Sequence, residues 1–265
     1  MKVILITGLD GSGKTSFLNR IKEHSNPALS QIINLPHINT ETLKQNTDLY
    51  KAALFVNSLN QDADLLKLPQ LKAVALFASM ILYREIFELI KQKGVQTIFC
   101  ERHPLIDSGI YARFYAEKLH PGSISLDVLS KLDEKYSSEL QYLLSLLPEG
   151  IIESEPAYTS TFINFIYKWF HLDKKYDIES LKAIFNIDFP DKIYYLQASP
   201  EILYERIKNR KVLEAHESVE VFVKLDKAYM SLFNELNQVS TDKVEIINIE
   251  NTDQLFIVLK QLKYF

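Results

Sequence analysis

GLDGSGKT, residues 8–15, follows the apolar run VILIT (3–7) and precedes SFLNRIKE (16–23). The chain has only seven glycines, and three of them, Gly8, Gly11 and Gly13, fall within six positions. Glycine weakens helix and strand interiors but permits positive φ and close backbone approach, so this concentration marks a special loop. Gly8, Gly13, Lys14 and Thr15 satisfy G-x-x-x-x-G-K-[ST] between a strand pattern and a helix pattern, the context that gives this motif its meaning. A turn that only joined strand to helix would explain the glycines but not Lys14 and Thr15. The reading is a phosphate cradle made of converging backbone N–H groups and a helix N-terminus. Gly8, Asp10, Gly11, Ser12, Gly13, Lys14, Thr15 and Ser16 are the expected nucleotide-binding residues. Lys14 is expected to reach the terminal phosphates and Thr15 to ligate Mg²⁺.

Outward from the loop, apolar runs over 2–7, 31–36, 95–100, 192–198 and 244–249 read as short strands buried on both faces. Helical periodicity predicts helices over 12–23, 40–60, 71–93, 201–211, 219–236 and 252–263. Gly94 supplies a C-terminal stop for the third of these. Strands alternating with helices imply an α/β fold: a three-layer α/β/α P-loop domain around a central five-stranded parallel sheet. Residues 121–190 are mostly helical and rich in Leu, Tyr and Phe, and they read as a helical insertion within a single domain spanning 1–265.

The 265 residues are 47% hydrophobic and 24% charged, ordinary globular values, and the net charge of −4 argues against a nucleic-acid-coating role. The single cysteine, Cys100, excludes an internal disulfide. No apolar stretch reaches the roughly 18–20 residues of a membrane span. With no signal-peptide pattern at the start, a cytoplasmic protein without nucleic-acid or membrane partners is expected. Cys100 reads as a small buried hydrophobe, and the six histidines show no metal-ligand spacing. A guanine-reading Asn-Lys-x-Asp string is absent, which removes the switch GTPases.

ALFASMILYREIFELIKQKGVQTIFCERH (75–103), together with Leu9-Asp10-Gly11 in the loop, resembles the thymidylate kinases and the related deoxynucleoside kinases. The resemblance covers about residues 1–115 and 192–260. It implies an ATP- and Mg²⁺-dependent phosphotransferase, with Phe77 packing on the acceptor base and Glu101-Arg102 at the family's acidic-Arg position. Chemistry agrees, because phosphoryl transfer needs a carboxylate for Mg²⁺ and cations around the γ-phosphate. Glu101 is therefore expected at Mg²⁺ or its waters, and Arg102 at the phosphoryl group or the acceptor; a surface pair at a strand end is the plainer alternative. SPEILYERIKNRK (199–211) resembles the family's lid. With Gly11 leaving no arginine in the loop, the resemblance sends the missing cations to Arg206 and Arg210, although a solvated basic helix face would read the same way. Asn251 would border the adenine, and Glu220, Phe222 and Tyr229 continue the helix after the lid. The related kinases are commonly dimers, which allows a homodimer here.

The pattern departs from the family on the acceptor side. Where the family carries Arg or Glu beside a proline, this chain reads Asn34-Leu35-Pro36-His37, and Ile81 stands where thymidylate kinases place an arginine. Arg84 lies three residues further on nearly the same helix face and becomes the candidate for an acceptor phosphate. His37 or Glu41 would be the base. The string Glu101 to Pro104 is similar to that of herpesvirus-type thymidine kinases and points to a nucleoside acceptor. Three readings stand: a nucleoside monophosphate kinase like thymidylate kinase, a deoxynucleoside kinase, and a non-catalytic ATP-binding regulatory or interaction protein. Trp169 with Phe165, Tyr167 and Phe170 reads as an acceptor cap, an oligomer contact or plain core.

Overall fold

A computed structural model describes residues 1–120, 122, 124–149, 158–171, 178–210, 217–239, 243–250, 258 and 260. Five strands form one sheet: β1 (Lys2–Gly8), β2 (Ser30–Ile33), β3 (Thr97–Cys100), β4 (Lys192–Gln197) and β5 (Val244–Asn248). Their order is β2-β3-β1-β4-β5 and every pairing is parallel. Ile4, Leu5 and Ile6 are successive and all buried, so both faces of β1 are covered, as a parallel sheet between helical layers requires. The register decides where chemistry can sit. Leu5 and Ile33 both align with Cys100, and Gly8 aligns with Leu196. The loop after β1, Glu101 after β3 and the residues after β4 therefore leave the sheet at one carboxyl edge, where open α/β folds bind ligands.

The helices are α1 (Lys14–His24), α2 (Asp48–Leu65), α3 (Pro69–Gln92), α4 (Pro104–Asp107), α5 (Arg113–Ala116), α6 (Leu126–Ser145), α7 (Tyr158–His171), α8 (Ile178–Phe185), α9 (Pro200–Ile207) and α10 (Val219–Val239). A π-helical turn, Ser108–Ala112, joins α4 to α5. The helix expected over 40–60 divides in two. Thr40–Thr42 makes one 3₁₀ turn, Asn46 takes a positive φ of 63°, and Thr47 caps α2 by accepting from the Tyr50 N–H at 3.3 Å. The helix expected over 201–211 ends at Ile207, where the Arg210 N–H turns back to the Ile207 carbonyl at 2.8 Å. Of the helix expected over 252–263 only residues 258 and 260 are described, both helical, and the rest lies outside the described residues.

The chain forms two compact units: Met1–Asn34, Phe87–His103 and Phe189–Phe265 make the sheet unit, and Leu35–Ile86 with Pro104–Asp188 make the helical unit. The helical unit thus takes in 35–86 and 104–120 besides the 121–188 stretch. Aromatic packing accounts for it. Phe77 on α3 is fully buried against Phe162, Phe165 and Phe170 of α7 and Phe185 of α8, with centroids 5.6–6.4 Å apart. Phe55 of α2 meets Tyr136 of α6 at 4.6 Å. Such pairs add about 0.5–1.5 kcal/mol each beyond the area they bury. Trp169 extends this core cluster through Phe165 at 6.3 Å. No helix among the described residues is long and apolar enough to cross a membrane.

Candidate functional site

The loop after β1 is shaped by what packs on it. At Gly11, φ is +84° and an added Cβ would lie 2.7 Å from the Leu203 carbonyl oxygen and 3.1 Å from Ile207 Cγ2. Both belong to α9, so this helix seats directly on the loop where no side chain is present. Its seat brings Arg206 over the loop, with Nη1 donating to the Gly11 carbonyl at 3.5 Å. Gly13, also at φ +84°, is the N-cap of α1, and no side chain caps the helix there or places an acid in its first turn. The N-terminal N–H groups of α1 are thereby left to an outside anion.

Three side chains complete the loop. Lys14 is buried, donates from Nζ to the Leu9 carbonyl at 3.0 Å and lies 3.6 Å from Asp10 Oδ1. Thr15 Oγ1 donates to Glu101 Oε2 at 3.4 Å. These two oxygens, one hydroxyl and one carboxylate, are the hard donor set that Mg²⁺ takes. Ser12 Oγ is buried with no hydrogen-bond partner among the described residues, an orphaned hydroxyl inside the cradle. Ser16 is exposed on the first turn of α1, and Arg102 is half-buried beside Glu101.

His103, next in the chain, is fully buried and its pKa is lowered to about 3, by desolvation first and by Lys243 second, so the ring is neutral. Cys100 is buried with Sγ 3.6 Å from the Ile4 carbonyl.

Beyond α9, Arg210 Nη1 pairs with Glu217 Oε1 at 2.9 Å, and Lys208 pairs with Glu205. Lys211 and Asn251 lie outside the described residues. α10 is tied to the sheet under the loop. Its Tyr229 hydroxyl is 3.2 Å from Thr7 Oγ1, and its Asp226 accepts from the Tyr195 hydroxyl at 2.7 Å and from Gln197 Nε2 at 3.3 Å. Burial first and Asp226 second push the Tyr195 phenol up, which keeps it a donor. Phe222 is core, and Glu220 is exposed, held below the usual carboxylate range by its own backbone N–H and then by Ser218.

The sheet unit therefore gathers residues 8–16, Glu101 and Arg206. Phe77, Arg84 and His37 belong to the helical unit. Phe77 is enclosed by its four aromatic neighbours, so a base stacking on it would have to displace one of those rings. In the amide orientation that offers it an acceptor, the Asn186 oxygen takes both Arg84 Nη1 and Nη2 at 3.1 Å. His37 is exposed, and Ile81 is buried. Sequence reasoning missed Thr7 and Glu217. Thr7 meets a partner 222 residues away, which no local pattern reports. Glu217 had one signal, an acid seven residues beyond Arg210.

Among solved structures, the chain is similar to a deoxyadenosine kinase from M. mycoides with bound dATP, at 16% identity, covering 99% of both chains with a TM-score of 0.45. It is also similar to a thymidylate kinase from Candida albicans, at 18% identity, covering 98% of this chain and 88% of that one with a TM-score of 0.48. No protein-family model matches the chain. No curated protein matches it either.

Proposed function

We propose that the chain is an ATP- and Mg²⁺-dependent kinase that transfers the γ-phosphoryl group to a (deoxy)nucleoside monophosphate, in the manner of thymidylate kinase. The observation that carries this reading is the gathering of Glu101 and Arg206 around the loop that bears Lys14 and Thr15, at the carboxyl edge of a parallel sheet. The backbone N–H groups from Gly8 to Ser16, with the orphaned Ser12 hydroxyl, would hold the phosphates. Lys14 would leave the Leu9 carbonyl for the terminal phosphates. Thr15 and Glu101 would hold Mg²⁺, whose charge offsets that of the β- and γ-phosphates when it is bound. Arg206 and Arg210 would gather at the transferring group, where preorganised cations contribute most of the rate. Asn251 would border the adenine, and Arg102 would serve the phosphoryl group or the acceptor; in the helical unit Arg84 and His37 are the acceptor candidates, while Phe77 is enclosed by its aromatic neighbours. The acceptor oxygen attacks the γ-phosphorus, the bond to the β,γ-bridging oxygen breaks, ADP leaves, and the acceptor's proton goes to a base or solvent.

A second reading, a deoxynucleoside acceptor, is favoured by one observation. Arg84 is engaged by Asn186, and the stretch Asn34-Leu35-Pro36 offers no cation in its place. Assaying ATP consumption with dTMP and thymidine side by side, extended to the other nucleosides and monophosphates, separates the two. Turnover with a monophosphate is the expected outcome. Turnover with nucleosides alone moves the assignment to the second reading, and no turnover above background with any acceptor removes the kinase reading.

A further inference from the structure

We infer that Glu217 is a positioning residue for Arg210, fixing the guanidinium at the end of the α9 segment so that its free edge faces a reacting phosphoryl group. The inference rests on the kinase reading above and assigns a part to a residue outside the phosphate loop, its metal pair and the basic segment. The two partners differ sharply in exposure: the Glu217 side chain is 1% exposed and that of Arg210 51%. A carboxylate buried to that degree is a fixed anchor, because its charge is costly to leave unpaired away from water. The arginine is the half that projects outward. Arginine carries five N–H donors in a rigid planar fork, and the 2.9 Å contact from Nη1 to Glu217 Oε1 occupies one corner of it.

Position in the fold supports the same role. Arg210 follows α9, the helix seated on Gly11, and Glu217 stands two residues before α10, the helix tied under the loop through Tyr229 and Thr7. The carboxylate thus refers Arg210 to the element that also contacts β1 just before Gly8. A long, half-exposed side chain would otherwise sample many rotamers, and misplacing a catalytic group by about 1 Å costs on the order of 100-fold in rate.

The test compares Glu217→Gln, Arg210→Ala and the double variant in the full chain, using whichever acceptor the wild type turns over. Each single variant is expected to lower kcat by roughly 10- to 100-fold while the KM for ATP changes by less than about threefold. The double variant is expected to be no worse than the poorer single one, since both remove one device. Glu217→Asp, which keeps the charge on a shorter stem, is expected to recover part of the loss and guards against a Glu217→Gln chain that fails to fold. Unchanged kcat in Glu217→Gln, or additive losses in the double variant, would overturn the inference while leaving the kinase reading intact. A wild type inactive with every acceptor would instead remove the kinase reading, and the role assigned to Glu217 with it.

Discussion

At the residue scale, Gly11 and Gly13 separate two reasons for glycine. Both have φ of +84°, yet an added Cβ at Gly13 meets nothing within 4 Å while at Gly11 it meets the Leu203 carbonyl at 2.7 Å. Gly13→Ala should therefore cost left-handed backbone strain alone, about 1–2 kcal/mol. Gly11→Ala adds a clash with backbone that cannot step aside and should cost about 3 kcal/mol or more. Urea unfolding midpoints at unchanged slope measure both. Equal costs at the two positions would mean that α9 does not seat on Gly11. The absence of an arginine at position 11 was legible in the sequence and turned attention to the basic segment at 199–211. Its cause was not legible, because it is the approach of a helix from nearly 200 residues away.

At the element scale, what the sequence showed was the apolar runs and periodic faces; what it hid were the ends. All five strands lie where the runs predict, within a few residues; in β1, β3 and β4 burial on both faces writes itself into consecutive apolar positions, whereas β5, at the sheet edge, leaves Ile246 exposed, against the expectation of burial on both faces. The start of α2 was misplaced because the Thr47 cap looks like one more polar residue in a helical stretch. Its end was misplaced for a related reason: Asn60 reads as a polar terminus, whereas α2 continues to Leu65 and buries Asn60 completely. Neither amide atom of Asn60 has a hydrogen-bond partner among the described residues. Unpaired buried polar groups cost about 1–3 kcal/mol each, and an apolar group of similar shape relieves that cost. Asn60→Leu, which keeps the branching at Cγ, should raise stability by about 1–2 kcal/mol, offset in part by the bulk of its methyl groups. In a thermal melt this corresponds to about 2–4 °C per kcal/mol. A lowered midpoint would show that the Asn60 amide is satisfied and holds α2 in place.

At the scale of the whole molecule, the division into a sheet unit and a helical unit was beyond sequence reading, since the packing of Phe77 with α7 and α8 joins segments about 90 to 110 residues apart. The loop after β1 was readable because its geometry is local: Gly11 and Gly13 adopt the positive φ that a glycine cluster predicts. On the proposed function, the same locality should make nucleotide binding separable from folding. Among the described residues Lys14 meets the Leu9 carbonyl and Asp10, both within the loop, so Lys14→Ala should remove the proposed phosphate contact and little packing. Its ligand-free melting midpoint should fall within about 4 °C of the wild type, as expected for loss of one loop contact worth under about 1 kcal/mol. A non-hydrolysable ATP analogue with Mg²⁺ at 100 times its Kd should stabilise the wild type by about 2.7 kcal/mol, because a ligand that binds only the folded state shifts unfolding by mass action. Over a chain of this size the midpoint should rise by about 5–10 °C. In Lys14→Ala that rise and the turnover should both be lost. A variant that keeps full turnover would show that the loop is not the phosphate site of the reaction, and one that keeps the full thermal shift while losing turnover would confine Lys14 to the transition state.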